Sequence, residues 1–176
     1  MVKLVITTSD RRVDVIGSGV DCVIRAGEPE DSTSLAARRL GGFQWLLCAA
    51  PSYLEAFGEP RTLDDLRSHR FVGYEPSGSE LFSFRCGEKS LRVEPASWLT
   101  LDETEGYIGA GLHGLGLIRA ADFLLRDHVA RGRLRRLLPD AEPMATSLHL
   151  VHAHSMFPPA SLRAFRDWAR ESLSDG

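Results

Sequence analysis

Apolar and polar positions fall into short blocks that switch between a period of two and a period of 3.6. Residues 2–7 are β-branched and apolar, and Thr8, Ser9 and Asp10 end the strand they predict. Asp10 can cap a short helix over 11–16, closed by Gly17 and Gly19. Residues 21–25 predict a second strand, 26–34 a polar loop, and 45–50 a third strand bounded by Pro51. Helices are expected over 52–57 and 63–69, the latter capped by Thr62 with Asp64 and Asp65 in its first turn. Strands follow at 71–74, 81–86, 90–93 and 98–101, with Gly87-Glu88 turning the middle two into a hairpin. A helix over 102–112, a strand over 115–119, a helix over 121–130 and a short strand over 133–137 come next. The last strand covers 148–152. The last helix, 159–173, carries Leu162, Phe165, Trp168, Ala169 and Leu173 on one face.

This alternation predicts α/β layers with largely parallel sheets. An internal echo points to two similar lobes. Ile16-Gly17-Ser18-Gly19 leads to Ile24-Arg25-Ala26, and Ile108-Gly109-Ala110-Gly111 leads to Ile118-Arg119-Ala120.

Composition narrows the class. The 176 residues suffice for one large domain or two small lobes, and 43% hydrophobic with 26% charged residues is ordinary for a soluble globular chain. A net charge of −3 offers no general attraction to phosphate backbones, so these residues by themselves are a poor candidate for DNA binding. Cys22, Cys48 and Cys86 are odd in number and lack a C-x-x-C spacing; Cys22 and Cys48 sit in apolar runs that bury a thiol as a small apolar group. No leader-like apolar region opens the chain and no apolar run approaches about 18 residues. A cytoplasmic protein without membrane contact is expected.

Several motifs invite sharper chemistry. Gly109-x-Gly111-x-x-Gly114 spells a dinucleotide fingerprint, but it ends a helix and precedes a strand, the reverse of what a pyrophosphate needs. A glycine-rich helix end and a tight turn account for it better. His152 and His154 would share a face of a strand, near His149, yet no Cys, Asp or Glu joins them at ligand spacing, and no metal is expected. Asp102, Glu103 and Glu105 read as first-turn acids that complement a helix dipole rather than as catalytic carboxylates. Ser77-Gly78-Ser79 lacks the frame of a nucleophile elbow. Arg131, Arg133, Arg135 and Arg136 lack interleaved aromatics and read as a solvated face. No catalysis and no cofactor is expected.

Ligands of open α/β sheets bind beyond the carboxyl ends of strands. Those places are Thr8 and Ser9; Arg25, Ala26 and Gly27; Gly73 and Tyr74; Asp102, Glu103 and Thr104; and His152. Hydroxyls and backbone N–H groups at helix starts suit a carboxylate. Asp102 and Glu103 would repel an anion unless paired, which leaves a cationic or neutral ligand open beside the carboxylate. Helix capping explains Thr8 and Ser9 equally well.

Four segments carry a family resemblance: Arg11-Arg12-Val13-Asp14-Val15-Ile16, Gly19-Val20-Asp21-Cys22-Val23-Ile24-Arg25-Ala26-Gly27, Leu35-Ala36-Ala37-Arg38-Arg39-Leu40 and Leu46-Leu47-Cys48-Ala49-Ala50-Pro51-Ser52-Tyr53-Leu54. In order and spacing they resemble the effector-binding domain of LysR-type transcriptional regulators. The resemblance implies an α/β fold of two Rossmann-like lobes joined by two crossover strands, like a type II periplasmic binding protein. The crossings would fall near 46–50 and 148–152, giving lobe one as 1–48 plus 152–176 and lobe two as 49–151. It also implies a small-molecule effector, held between the lobes with a Thr or Ser at the position of Thr8. Lobe closure would then rearrange antiparallel homodimers, for which a coupling of about 1–3 kcal/mol suffices.

Family members bind DNA through an N-terminal winged helix-turn-helix, which this chain is expected to lack together with the first strand and helix of lobe one. That truncation would leave an apolar edge that drives self-association, and a well-behaved monomer in sedimentation at high concentration would contradict it. Two rivals remain at this point. A transporter's solute-binding protein would share the fold but carry a signal peptide, and a small α/β enzyme would need a nucleophile, base or cofactor loop at its strand ends.

Overall fold

A computed structural model describes residues 3–9, 13–29, 32–75, 82–86, 89–93, 97–139, 141–143 and 145–173. In chain order the elements begin with β1 (Val23–Ala26), β2 (Leu35–Phe43), β3 (Trp45–Ala49) and α1 (Pro51–Phe57). A 3-10 turn (Asp65–Ser68) leads to β4 (Phe71–Tyr74), β5 (Phe82–Cys86), β6 (Lys89–Val93) and β7 (Ser97–Leu101). Then come α2 (Thr104–Leu112), β8 (Ile118–Ala121), α3 (Asp122–Ala130), β9 (Arg135–Arg136), β10 (Glu142–Pro143), β11 (Thr146–Ala153) and α4 (Ala160–Leu173). The chain divides into two units, Met1–Phe43 with Ala145–Gly176 and Gln44–Met144, so each division falls to the N-terminal side of an expected crossing. Among the described residues no helix is long and apolar enough to cross a membrane.

In the first unit β11 lies between β1 and β2, antiparallel to both. β2 is not expected from its sequence, because Leu-Ala-Ala-Arg-Arg-Leu-Gly-Gly-Phe lacks period-two alternation; its pairing with β11 makes it a strand. Leu40, Leu150 and Ala169 form the core, with Phe165 of α4 packed against them. Gly41 is required here, since a Cβ would stand 2.6 Å from the Leu173 carbonyl oxygen. Trp168 and Leu173, expected on the apolar face of α4, are exposed, although the Trp168 ring lies 5.5 Å from that of Phe165.

Two expectations fail in this unit. No strand forms over 3–9, and Leu4, Val5 and Ile6 are exposed there; β-branched residues make a strand only where a neighbouring strand takes their hydrogen bonds. The helix over 11–16 is replaced by a turn at 15–19, with Arg11 and Arg12 outside the described residues. Asp14 explains the change. Its side chain accepts the Ile16 N–H at 3.0 Å and its carbonyl the Ser18 N–H at 3.0 Å, a local arrangement that competes with a helix.

In the second unit β3 is central, flanked antiparallel by β8 and β9. It is buried on both faces. Leu47 and Ala49 enter a cluster with Tyr53, Leu66, Phe71, Phe84 and Leu117, while Cys48 and Ala50 enter one with Val72, Tyr107, Ile118, Leu125 and Leu134. Cys48 is therefore the buried apolar thiol expected, and burial pushes it up to about 12. Cys22 is half-buried and also raised, by burial and by Asp21. β4 and β7 pair in parallel, and Phe71 makes a parallel bridge to Leu117. The other described ladders are antiparallel, against the expectation of largely parallel sheets: the hairpin of β5 and β6, the β10 edge and the long returning β11 are reversals that an alternation of elements does not reveal. The Gly87-Glu88 turn lies outside the described residues.

The helix expected over 63–69 shortens to the 3-10 turn. Thr62 Oγ1 accepts the Asp65 N–H at 3.3 Å, while the Asp65 carboxylate accepts the Arg61 and Thr62 N–H groups at 2.9 Å each, a reciprocal cap that closes at once. This turn delivers His69, whose Nδ1 lies 3.2 Å from the Tyr53 hydroxyl; that hydroxyl also accepts the Arg70 N–H at 2.9 Å.

Burial holds His69 below its usual value of 6.5, and it lowers His128 in the same direction. Below about pH 6.5 the unfolded chain therefore binds protons that the folded chain refuses, so stability is full above that pH and falls as pH drops through it. Melting from pH 7 to pH 5 should show this decline, and His69→Gln should flatten it. An unchanged slope in the variant would contradict the account.

Candidate functional site

The register of β4 against β7 sets Gly73 beside Thr100 and Tyr74 beside Leu101. Both parallel strands end together, and Asp102, Glu103 and Thr104 follow immediately as the entry to α2. Five expected site residues thus share one end of the second unit. The Tyr74 hydroxyl lies 2.9 Å from Thr104 Oγ1, a hydrogen-bonded hydroxyl pair at the mouth of the two strands.

Glu103 is the N-cap of α2. Its carboxylate accepts the Glu105 N–H at 2.8 Å and the Gly106 N–H at 2.7 Å. These are the donors that sequence reasoning offered to a carboxylate ligand. They are already taken, and Asp102 and Glu105 add negative charge around them. Removing the cap with Glu103→Ala should destabilise the protein by about 0.5–2 kcal/mol. A urea midpoint equal to wild type would show that the capping bonds contribute nothing.

Behind the hydroxyl pair stands Tyr107, buried and unremarked in the sequence reading. Its ring centroid is 5.1 Å from that of Tyr74. Its hydroxyl accepts the Arg119 N–H at 2.7 Å and donates to the Arg119 carbonyl at 3.2 Å. Burial pushes this phenol up to about 12, so it stays protonated and able to donate. The Arg119 guanidinium lies 4.7 Å over the Trp45 indole, and burial lowers its value, with Tyr107 acting in the opposite sense. The one sequence signal for Tyr107 is its spacing of three from Thr104, which puts both on one helix face.

The residues expected from the first unit are arranged differently. Arg25 donates to the Val13 carbonyl, and Ala26 pairs with Leu148. Gly27 takes a φ of 92°, donates its N–H to the Ser147 carbonyl at 2.8 Å, and has its own carbonyl 2.9 Å from His149 Nδ1. Thr8 and Ser9 are exposed and follow no strand. His152 is buried and pairs with Ala36. Because β1 runs antiparallel to β11, with Arg25 opposite His149 and Val23 opposite Val151, His152 lies beyond the start of β1, away from Gly27. Strand ends bring such residues together only where the strands run parallel.

The remaining motifs resolve into structure. Gly109 and Gly111 lie inside α2, and Gly114 follows it with a φ of 73°, its N–H on the Gly111 carbonyl at 3.0 Å. A Cβ on Gly111 would meet Ile118 at 2.5 Å, so this glycine lets the helix close on β8. β11 ends at Ala153, which leaves His154 outside it and undoes the shared face with His152. Arg135 pairs with Glu59 at 2.8 Å and Arg131 lies 3.8 Å from Asp127, on an exposed surface.

Comparison with known proteins places this arrangement. The family described as the LysR substrate binding domain matches residues 1–174. YhjC, an HTH-type transcriptional regulator of Escherichia coli K12, is 36% identical over 174 residues, covering 95% of this chain and 56% of that protein. The regulatory domain of CrgA, a LysR-type transcriptional regulator from Neisseria meningitidis, matches with a TM-score of 0.79 at 26% identity, over 91% of this chain and 78% of that one. Full-length AphB, a Vibrio cholerae virulence activator, matches in fold with a TM-score of 0.80 at 21% identity, over 95% of this chain and 57% of that one. The chain thus spans about half the length of the full-length regulators it matches. With its two units of mixed sheets and helices, it has the type II periplasmic-binding-protein-like fold of these regulatory domains, and it belongs to the LysR substrate-binding domain family.

Proposed function

We propose that this chain is the effector-sensing part of a transcription regulator, in which a small metabolite alters how a helix-turn-helix module binds DNA. The family match over residues 1–174 carries this reading, and the named relatives are HTH-type or LysR-type regulators. They favour it over a transporter's solute-binding protein or a small α/β enzyme. In this reading the chain catalyses nothing, acts in the cytoplasm beside the DNA, and works as a homodimer or higher homo-oligomer.

The proposed effector contacts in the second unit are Gly73, Tyr74, Asp102, Glu103 and Thr104. In the first they are Thr8, Ser9, Arg25, Ala26, Gly27 and His152. The capping bonds of Glu103 support one chemistry at the second unit over another. A carboxylate there finds the helix N–H groups occupied and three acids around it, whereas a hydroxyl, amide or ammonium group finds the Tyr74–Thr104 pair and acceptor oxygens. The effector therefore turns a neutral or cationic group to this end of the second unit.

A thermal-shift panel of amino acids, amines, aromatic acids and simple dicarboxylates tests the assignment. Stabilisation by compounds bearing an amino or hydroxyl group supports it. Stabilisation by dicarboxylates alone would contradict the charge argument, and a flat response across all classes would contradict the sensing role.

A further inference from the structure

We propose that Tyr107 is a positioning residue that ties the Tyr74–Thr104 hydroxyl pair to Arg119 and Trp45, so that events at the hydroxyls are felt at the Trp45 indole. The inference rests on the reading of Tyr74 and Thr104 as effector contacts and asks what stands behind them.

The contacts form an unbroken line. Thr104 Oγ1 meets the Tyr74 hydroxyl at 2.9 Å, and the Tyr74 ring meets that of Tyr107 at 5.1 Å and 42°. The Tyr107 hydroxyl bonds both the N–H and the carbonyl of Arg119, at 2.7 and 3.2 Å. The Arg119 guanidinium then lies 4.7 Å over Trp45. In a strand, the N–H and carbonyl of one residue point to the same side. Those of Arg119 therefore turn away from β3, and the Tyr107 hydroxyl stands where a further strand would otherwise bond.

A residue that merely filled the core would need no such hydroxyl, and a leucine would pack there. Tyr107 instead fixes the backbone of β8 with one end and the Tyr74 ring with its flank. A displacement of Tyr74 therefore has a rigid path to Arg119. Trp45, at the other end, follows Gln44, the first residue of the second unit, whose carbonyl accepts the Asp122 N–H at 2.8 Å. The line thus runs from the first turn of α2 to the start of β3. Spatial continuity alone does not establish coupling; a perturbation at one end must be read at the other.

The test uses the indole N–H resonance of Trp45 in the full chain without ligand, assigned through Trp45→Phe. Thr104→Val removes the partner of the Tyr74 hydroxyl. It should move the Trp45 resonance while leaving that of Trp168, in the first unit, in place. In a Tyr107→Phe background the same Thr104→Val change should leave Trp45 unmoved. A Trp45 resonance indifferent to Thr104→Val, or one that moves equally with and without the Tyr107 hydroxyl, would overturn the proposal.

Should Tyr107→Phe fail to fold, amide exchange at Arg119 decides, because that N–H is bonded to Tyr107. Thr104→Val should quicken it several-fold relative to Ile118, and an unchanged ratio overturns the coupling. Neither measurement involves an effector. A failed ligand panel therefore counts against the site assignment, and a failed coupling measurement counts against Tyr107.

Discussion

Phe71→Ala should destabilise the protein by about 3–5 kcal/mol, the largest effect expected of any substitution considered. Phe71 is fully buried among Leu47, Tyr53, Leu66 and Leu117. Its strand is held from both sides: Phe71 pairs with Ser97 of β7 and bridges to Leu117. The Val72 N–H donates to the Leu117 carbonyl at 3.0 Å, and the Leu117 N–H to the Arg70 carbonyl at 2.9 Å. Collapse into the space left by the ring would have to drag these bonds with it, so most of the cavity stays open. The packing against Leu117 is also close, since a Cβ on Gly116 would stand 2.9 Å from the Arg70 carbonyl oxygen.

For a domain of this size the loss corresponds to roughly 6–20 °C in melting temperature. Ile6→Ala, at a side chain 77% exposed, provides the contrast and should stay within about 0.5 kcal/mol of wild type. Equal melting of Phe71→Ala and Ile6→Ala would mean that β4 is not where the second unit is anchored. The consequence reaches function, because β4 also carries Gly73 and Tyr74.

Much of the fold was legible because the second unit states it locally. Phe71–Tyr74 is a four-residue apolar run bounded by polar residues, and it forms that strand; Trp45–Ala49 is bounded by Pro51 and loses one residue from its expected end. What was illegible depends on partners distant in sequence. Leu35–Phe43 becomes a strand through its ladder with Thr146–Ala153, and no pattern within it announces that ladder. The reverse error has the same origin, since residues 3–7 have the composition of a strand and form none. The direction of β11 is equally nonlocal, and it separates His152 from Gly27. At the candidate site, strand ends and the helix entry pointed to Tyr74 and Thr104, which the fold brings together. Tyr107 and Arg119 escaped notice because their roles come from a hydroxyl bonding a backbone across two elements.

The second large effect concerns the effector. Mass action requires that a ligand present at 100 times its dissociation constant stabilise the folded chain by about 2.7 kcal/mol, several degrees for this size. Thr104→Val keeps the shape of the side chain while removing its hydroxyl, and Tyr74→Phe does the same for the other half of the pair. Either should abolish most of that stabilisation, measured as the shift from each variant's own ligand-free melt, because each removes one hydroxyl of the half-buried pair. Thr8→Val and Asp102→Ala probe the proposed contacts elsewhere. The most direct measurement is the melting shift produced by the strongest compound of the panel, compared between wild type and Thr104→Val. A shift of several degrees in wild type that disappears in the variant is the predicted result. An identical shift in both proteins would place the ligand elsewhere and contradict the assignment of the Tyr74–Thr104 pair as the effector contact.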